Sequence, residues 1–152
     1  MSSPSVRRAL ASESAALTAL GLRSKAHWGY DEAFMALAAD EMNIGSDLIG
    51  GSSAYVAESD GAVVGVYVLC LEHGQPTLRD LWVEPRAIGT GVGSILWAHM
   101  LGEARRLGYR TVRLTSDPNA EGFYLRMGAR RIGEVESCGI PGRMLPRMEV
   151  EP

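Results

Sequence analysis

Hydrophobic positions change their period several times along the 152-residue chain. After a short polar start, Ser5-Val6-Arg7-Arg8-Ala9 predicts a brief strand. From Ser12 to Asn43 the apolar residues recur at helical spacing. Ala16, Leu17, Leu20 and Leu22 predict one amphipathic helix, and Phe34, Met35, Leu37, Ala38 and Met42 predict a second. Between them Arg23 to Asp31 forms a joint, with Asp31 placed to cap the second helix. Gly45 to Ser53 is rich in glycine and serine and predicts a loop.

Period-two and β-branched runs follow. Ala54–Glu58 and Val63–Glu72 flank Ser59-Asp60-Gly61-Ala62, a hairpin signal because glycine tolerates the positive φ of such turns. Gly74-Gln75-Pro76 predicts a second turn and Thr77–Val83 a third strand of this group. A helix then opens at Gly89–Gly93, with Ile95, Leu96, Met100, Leu101, Ala104 and Leu107 on its apolar side and Gly108 as its stop. Arg110–Thr115 predicts a strand, Asp117-Pro118 the start of a short helix running to Met127, and Gly128 its end. Arg130–Glu136 and Leu145–Val150 predict the last strands, joined by the loop Ser137–Arg143. The order β-αα-βββ-α-β-α-ββ predicts an α/β (α+β) fold. It is a single mixed, mostly antiparallel sheet of about six to seven strands with flanking helices, and one domain over residues 1–152.

Composition narrows the function classes. With 46% hydrophobic and 22% charged residues the chain is an ordinary globular one. A net charge of -3 argues against a general nucleic-acid binder, although Arg105, Arg106, Arg110 and Arg113 lie close together. No apolar run is long enough to span a membrane. Cys70 and Cys138 form no CxxC pair, and His27, His73 and His99 show no metal-ligand spacing. A reduced, cytoplasmic, metal-free protein is expected, with Cys70 a buried small hydrophobe.

The candidate chemistry lies in Leu81-Trp82-Val83-Glu84-Pro85-Arg86-Ala87-Ile88-Gly89-Thr90-Gly91-Val92-Gly93-Ser94. A strand ends, Pro85 stops further pairing, and three alternate glycines enter a helix. The first amides of a helix lack intrahelical partners and bind anions, and glycines let backbone approach a phosphate closely. Arg86 could add a charge-assisted contact. Two other readings remain at this point. One is a plain strand-to-helix turn. The other is a dinucleotide site, but that pattern is G-x-G-x-x-G with an acidic residue about twenty positions on, where this chain has Tyr109 and Arg110.

R-x-x-G-x-G after this strand end resembles the acetyl-CoA signature of the GCN5-related N-acetyltransferase superfamily. Asp117-Pro118-Asn119-Ala120-Glu121-Gly122-Phe123-Tyr124-Leu125-Arg126-Met127-Gly128-Ala129 is similar to that family's next motif, with asparagine and alanine adjacent here. The resemblance implies an acetyl-CoA-dependent N-acetyltransferase acting on a small-molecule amine. The alternatives are a protein or peptide acetyltransferase and a non-catalytic acyl-CoA-binding module. It implies acetyl-CoA as co-substrate and no metal, and it makes a homodimer plausible.

For individual residues it implies that Leu81, Trp82 and Val83 splay from the strand at 110–115 and offer backbone groups to the pantetheine arm. Gly89, Thr90, Gly91, Val92, Gly93 and Ser94, with Arg86, would hold the pyrophosphate. Asn119 would contact the pantetheine or cap the short helix. Tyr124 is the candidate catalytic phenol, donating to the departing thiolate; its alternative is a core aromatic pointing away from Phe123. Asp80 is the candidate that binds the amine or holds water, alternatively a hydrogen-bonded strand carboxylate. It shares a face with Trp82 and Glu84 if the strand has no bulge. Glu84 reads as a solvated residue before proline. The acceptor pocket is expected at Trp28, Tyr30 and Asp31, with Tyr67 and Ser116 as further candidates, since aromatics with a carboxylate suit a cationic amine.

Overall fold

The computed structural model describes residues 3–137 and 140–152. Cys138, the one possible disulfide partner of Cys70, lies outside them, and Cys70 is a half-buried free thiol. Seven strands form one sheet in the order β1-β2-β3-β4-β5-β7-β6. They are β1 (Ser5–Arg8), β2 (Ser53–Ser59), β3 (Ala62–Glu72), β4 (Gln75–Val83), β5 (Val112–Thr115), β6 (Arg130–Glu136) and β7 (Met144–Val150). Every pairing is antiparallel except β4 with β5, which are parallel and joined by a helical crossover.

The helices are α1 (Ser14–Ala26), α2 (Glu32–Ala39), α3 (Ser46–Gly51), α4 (Val92–Arg106) and α5 (Glu121–Arg126). Two apolar clusters lie on opposite faces of the sheet. One joins α4 and α5 to Val64, Tyr67, Leu69, Leu78 and Leu114; the other joins α1 and α3 to Ala54, Val56, Val66 and Val68. Among the described residues no helix is long and apolar enough to cross a membrane.

Three elements depart from the pattern reading. The expected loop at Gly45–Ser53 contains α3, because Ile49, 2% exposed, is anchored in the α1-side cluster. Burial overrides the poor helix propensity of glycine. The second hairpin turns at His73-Gly74, not Gly74-Gln75-Pro76. Both central residues have positive φ, as at Asp60-Gly61, and β4 therefore begins at Gln75. The helix after Asp117 is split, with a 3-10 turn at Pro118–Ala120 before α5.

Strand β4 also carries a bulge. Val68 pairs with Asp80 but Leu69 pairs with Leu78, so Arg79 is the extra residue. Leu78 thereby joins the α4-side cluster while Asp80 and Trp82 face α1. Without the bulge Leu78 and Asp80 would share one face.

Candidate active site

Parallel pairing between β4 and β5 is confined, among the described residues, to Thr77 with Arg113. Beyond it the strands part, and the edge of β4 at Leu81, Trp82 and Val83 lines a cleft of about 530 Å³. Unpaired strand edges present rows of N–H and C=O groups that an extended ligand arm can pair with. Leu81, Trp82 and Val83 lie where the two strands part.

One end of the cleft is the glycine turn. A 3-10 turn at Pro85–Ala87 leads through Gly89 to Gly91, the N-cap of α4, whose φ of 92° puts it in the left-handed region. The first α4 ladder bond at this end runs from the Ile95 N–H to the Gly91 carbonyl. The amides of Val92, Gly93 and Ser94 thus precede the ladder, and Gly89, Gly91, Gly93 and Ser94 line the cleft. An anion here also meets the positive end of a 15-residue helix.

The other residues expected in this turn do different work. The Val92 side chain is core, 1% exposed. The Thr90 hydroxyl donates to the Ala87 carbonyl at 2.5 Å and braces the turn. Arg86 is exposed and is not among the lining residues.

Close approach of α4 to the sheet depends on a residue that the sequence reading did not single out. A Cβ at Gly65 would lie 2.8 Å from Leu96 Cδ1, 3.0 Å from Val92 Cγ1 and 3.2 Å from the Trp82 carbonyl oxygen. Gly65 is what lets the helix start lie against β3 and β4. Its only sequence signal is a glycine inside a strand run, which marks close backbone approach.

Tyr124 lines the cleft and is 8% exposed. Its ring lies 5.6 Å from Trp97 and 5.2 Å from Phe123, nearly edge-on to the latter. Phe123 packs against Gly93 and joins the same cluster, so the expectation that the two aromatics serve different cores is corrected. Their 77° interplanar angle is what lets neighbouring rings do so. Burial, then the charges of Asp80 and Asp117, push the Tyr124 phenol well above its ordinary value. It is held protonated, as a donor.

Asp80 is buried and both its oxygens are engaged. Arg79 Nη1 binds Oδ2 at 2.5 Å and Trp82 Nε1 donates to Oδ1 at 3.0 Å. Burial raises its carboxyl above the usual range, against the pull of Arg79. Arg79 also donates to the carbonyls of Glu41 and Asn43, fixing the segment between α2 and α3. Glu84, expected to be solvated, instead pairs with Arg23 through both oxygens at 2.8 Å and ties α1 to the end of β4.

Asp117 and Asn119 line the opposite side of the cleft; Lys25, Tyr30, Phe34 and Arg143 do not, and pack against them where the joint between α1 and α2 meets the segment after β5. The Tyr30 hydroxyl donates to Asp117 at 2.9 Å and accepts from Asn119 Nδ2 at 3.0 Å and Arg143 Nη2 at 2.9 Å. Lys25 Nζ reaches Asp117 Oδ2 at 2.9 Å. The Tyr30 and Phe34 rings stack at 4.0 Å, and Lys25 and Arg143 both lie within cation–π range of them. Burial raises the Asp117 carboxyl, but hydrogen bonds from the Asn119 amide, Lys25 and Tyr30 outweigh it and hold the carboxyl below its ordinary range.

Capping of the turn after β5 belongs to Asp117, which accepts from the Asn119 N–H at 2.9 Å, so the alternative of Asn119 as cap is corrected. Trp28 lines the cleft, 43% exposed. Asp31 is the N-cap of α2, accepting from the Phe34 N–H at 2.8 Å, and does not line the cleft. Tyr67 and Ser116 lie elsewhere. Tyr67 is fully buried and bonds His99 Nδ1 at 2.7 Å, while Ser116 donates to the Asp117 carbonyl. Lys25 and Arg143 were missed, because neither belongs to a local pattern.

A mixed seven-stranded sheet, splayed at its one parallel pair above a glycine turn, defines an acyl-CoA N-acyltransferase-like protein. Residues 50–128, just over half the chain, match the acetyltransferase (GNAT) domain family; the chain belongs to it and is an acetyl-CoA-dependent N-acetyltransferase. Solved structures agree on the fold. A GCN5-related N-acetyltransferase from Rhodopseudomonas palustris superposes with TM-score 0.81 at 22% identity, covering 100% of this chain and 98% of that one. The PaiA N-acetyltransferase of Thermoplasma acidophilum, solved with coenzyme A, gives 0.80 at 16% identity over 99% and 100%. An N-acetyltransferase from Staphylococcus aureus gives 0.71 at 18% identity, covering 99% of each. No curated protein sequence matches the chain.

Proposed function

We propose that this chain, acting as one domain over residues 1–152, moves the acetyl group of acetyl-CoA to the amine of a small molecule by direct attack in a ternary complex. The observation that carries the reading is the single β4–β5 pair, whose splay opens directly onto the α4 amides. The residues present fit acetyl-CoA: a strand edge for the pantetheine arm, a helix start for the pyrophosphate and an apolar floor between them. Bound there, it supplies an acetyl carbon activated as a thioester.

The chain's own residues divide the remaining work. Backbone groups of Leu81, Trp82 and Val83 orient the arm, and the amides of Gly91, Val92, Gly93 and Ser94 take the phosphates. The C–N bond forms as the C–S bond breaks, so the leaving sulfur gains charge and the amine nitrogen loses a proton. Tyr124 is the donor toward that sulfur. Its raised pKa moves it away from full proton transfer and toward hydrogen-bond donation. Asp80, with both oxygens held, orients Trp82 and Arg79. The proton of the amine leaves through water. A small-molecule acceptor is supported by the cleft's volume of about 530 Å³, which the acceptor shares with acetyl-CoA.

Isothermal titration with acetyl-CoA followed by thiol release on an amine panel tests the reading, and absence of binding at millimolar ligand overturns it. In Tyr124→Phe, acetyl-CoA affinity is expected to hold while kcat falls about 100-fold or more. An unchanged kcat would remove Tyr124 from the chemistry.

A further inference from the structure

Charged side chains are few in the cleft. Among the described residues that line it they are Arg79, Asp117 and Arg126. The first two are engaged within the chain. Arg79 binds Asp80 and the carbonyls of Glu41 and Asn43, while Asp117 accepts from Lys25, Tyr30 and Asn119. Arg126 is exposed and makes no ion pair or hydrogen bond with any described residue. The acidic residue at the start of its own helix, Glu121, is taken by Arg131 at 3.3 Å. Among the described residues, Arg126 is therefore the cation of the cleft lining left for a ligand.

Its place follows from the helix that carries it. Long helical side chains lean back toward the helix start and cover the residue four positions earlier. That residue is Gly122, where a Cβ would lie 3.4 Å from Arg126 Nη1. The guanidinium thus folds back over Gly122, and both residues line the cleft. Phe123, the next residue, makes the contact to the other helix, since a Cβ at Gly93 would lie 3.2 Å from its ring. Gly93 is the second residue of α4 and carries one of the amides that precede the α4 ladder. Arg126 and the start of α4 therefore stand at the same end of the cleft, with the Phe123 ring between them. Arg86, the cation expected there from the sequence, is not among the lining residues.

Coenzyme A brings a pyrophosphate and a ribose phosphate to its site. Backbone amides and a helix dipole satisfy phosphate oxygens but carry no full charge. A guanidinium supplies that charge and can offer a phosphate two parallel N–H groups. We propose that Arg126, rather than Arg86, is the cation that holds a phosphate of coenzyme A, with Gly122 leaving the space in which its guanidinium folds back. This rests on the acetyltransfer reading and adds a determinant of donor affinity that lies outside the glycine turn.

The test removes the charge from the protein and the phosphates from the donor. Titration of Arg126→Gln with acetyl-CoA is expected to show Kd raised about tenfold, with the loss shrinking as salt is added because the site is open to solvent. Arg86→Gln is expected to lose less. S-acetylpantetheine keeps the thioester and the arm but carries no phosphate. Its kcat/KM, read by thiol release, is expected to be the same in the wild type and in Arg126→Gln. Dephospho-acetyl-CoA, which lacks the ribose phosphate, separates the sources: a loss that persists with it assigns the pyrophosphate to Arg126, and a loss that vanishes assigns the ribose phosphate. Unchanged acetyl-CoA affinity in Arg126→Gln overturns the proposal while leaving acetyltransfer standing, and so does a larger loss in Arg86→Gln. An equal loss with S-acetylpantetheine also overturns it, because the defect then lies in the packing of α5 and not in charge. Failure of the wild-type protein to bind acetyl-CoA overturns the acetyltransfer reading itself, and this assignment with it.

Discussion

The two walls of the cleft are built in different ways. On the donor wall, α4 buries Val92, Leu96, Trp97, Met100 and Ala104 in the larger apolar cluster, and Glu103 ties it to β2. Behind the side proposed for the acceptor, α2 reads Glu32-Ala33-Phe34-Met35-Ala36-Leu37-Ala38-Ala39, supplies no residue to the cleft lining and contains no buried residue, with Leu37 57% exposed. That wall is held by polar and cation–π contacts among Lys25, Tyr30, Phe34, Asp117 and Arg143. Few buried apolar contacts mean low local stability, so the acceptor wall is the one free to move and to adapt. The donor wall presents backbone groups on a packed frame; the acceptor wall presents side chains on a loose one.

The largest test of this contrast is Gly65→Val. Its added carbons would collide with Leu96, Val92 and the Trp82 carbonyl, and the last of these is backbone that cannot swing aside. Overpacking of this kind costs about 1–3 kcal/mol. Urea unfolding is expected to show that loss, and titration is expected to show weaker acetyl-CoA binding, because the α4 amides are lifted from the splay. Full retention of both would mean that α4 is not held where the contrast requires.

The same contrast decides what was legible in the sequence. The donor wall could be read because its signals are local: strand, proline, alternate glycines and helix follow one another within residues 81–94. The short motif from Asp117 to Gly128 is local too, and the order of strands and helices followed from periodicity. The acceptor wall could not be read that way. Its bonds join Tyr30 to Asp117, Asn119 and Arg143, residues 87 to 113 positions apart, and no spacing rule reports them. Asp31 looked like a ligand because it lies next to Tyr30, yet the start of α2 claims it. Helix α3 was hidden for a related reason, since Ile49 is helical through burial against distant strands rather than through its glycine-rich neighbours. The bulge at Arg79 left no signal, because β4 keeps an ordinary alternation on both sides of it.

A smaller effect separates the walls by pH. Arg106, with Ser53 and Tyr55, outweighs the burial of Glu103 and lowers its carboxyl from 4.5 to about 2. A carboxyl depressed by folding contributes stability that is present above its unfolded value and is lost as pH falls toward the folded value. Here the window runs from 4.5 down to about 2. Arg106 is 65% exposed, so solvent screens its share of that contribution. Asp117 on the acceptor wall is also lowered, but from 3.8, so its contribution begins to fade at a more acid pH. Urea unfolding followed from pH 6 toward acid (roughly, in the range where carboxylates titrate) should fall through Glu103 together with Glu13, Glu84 and Glu149, which are likewise held low by paired arginines. Glu103→Gln is expected to flatten that upper part of the slope, and an unflattened slope would assign it to other carboxylates.

The smallest effect isolates the acceptor wall. Asp31 caps α2 through the Phe34 N–H, and replacing a capping aspartate by alanine costs about 0.5–1 kcal/mol at an exposed helix. Because α2 buries no residue, little of that loss should propagate into the sheet. Asp31→Ala is therefore expected to leave global urea unfolding nearly unchanged while amide exchange within residues 32–39 speeds up several-fold. Acetyl-CoA affinity should hold, since α4 and the splay are untouched. The acceptor's KM should rise, because Phe34 stacks on Tyr30, which holds the lining residues Asp117 and Asn119. If acetyl-CoA affinity fell as the acceptor's KM rose, the two walls would be one cooperative unit, and the adaptable wall inferred from its lack of buried contacts would have to be given up.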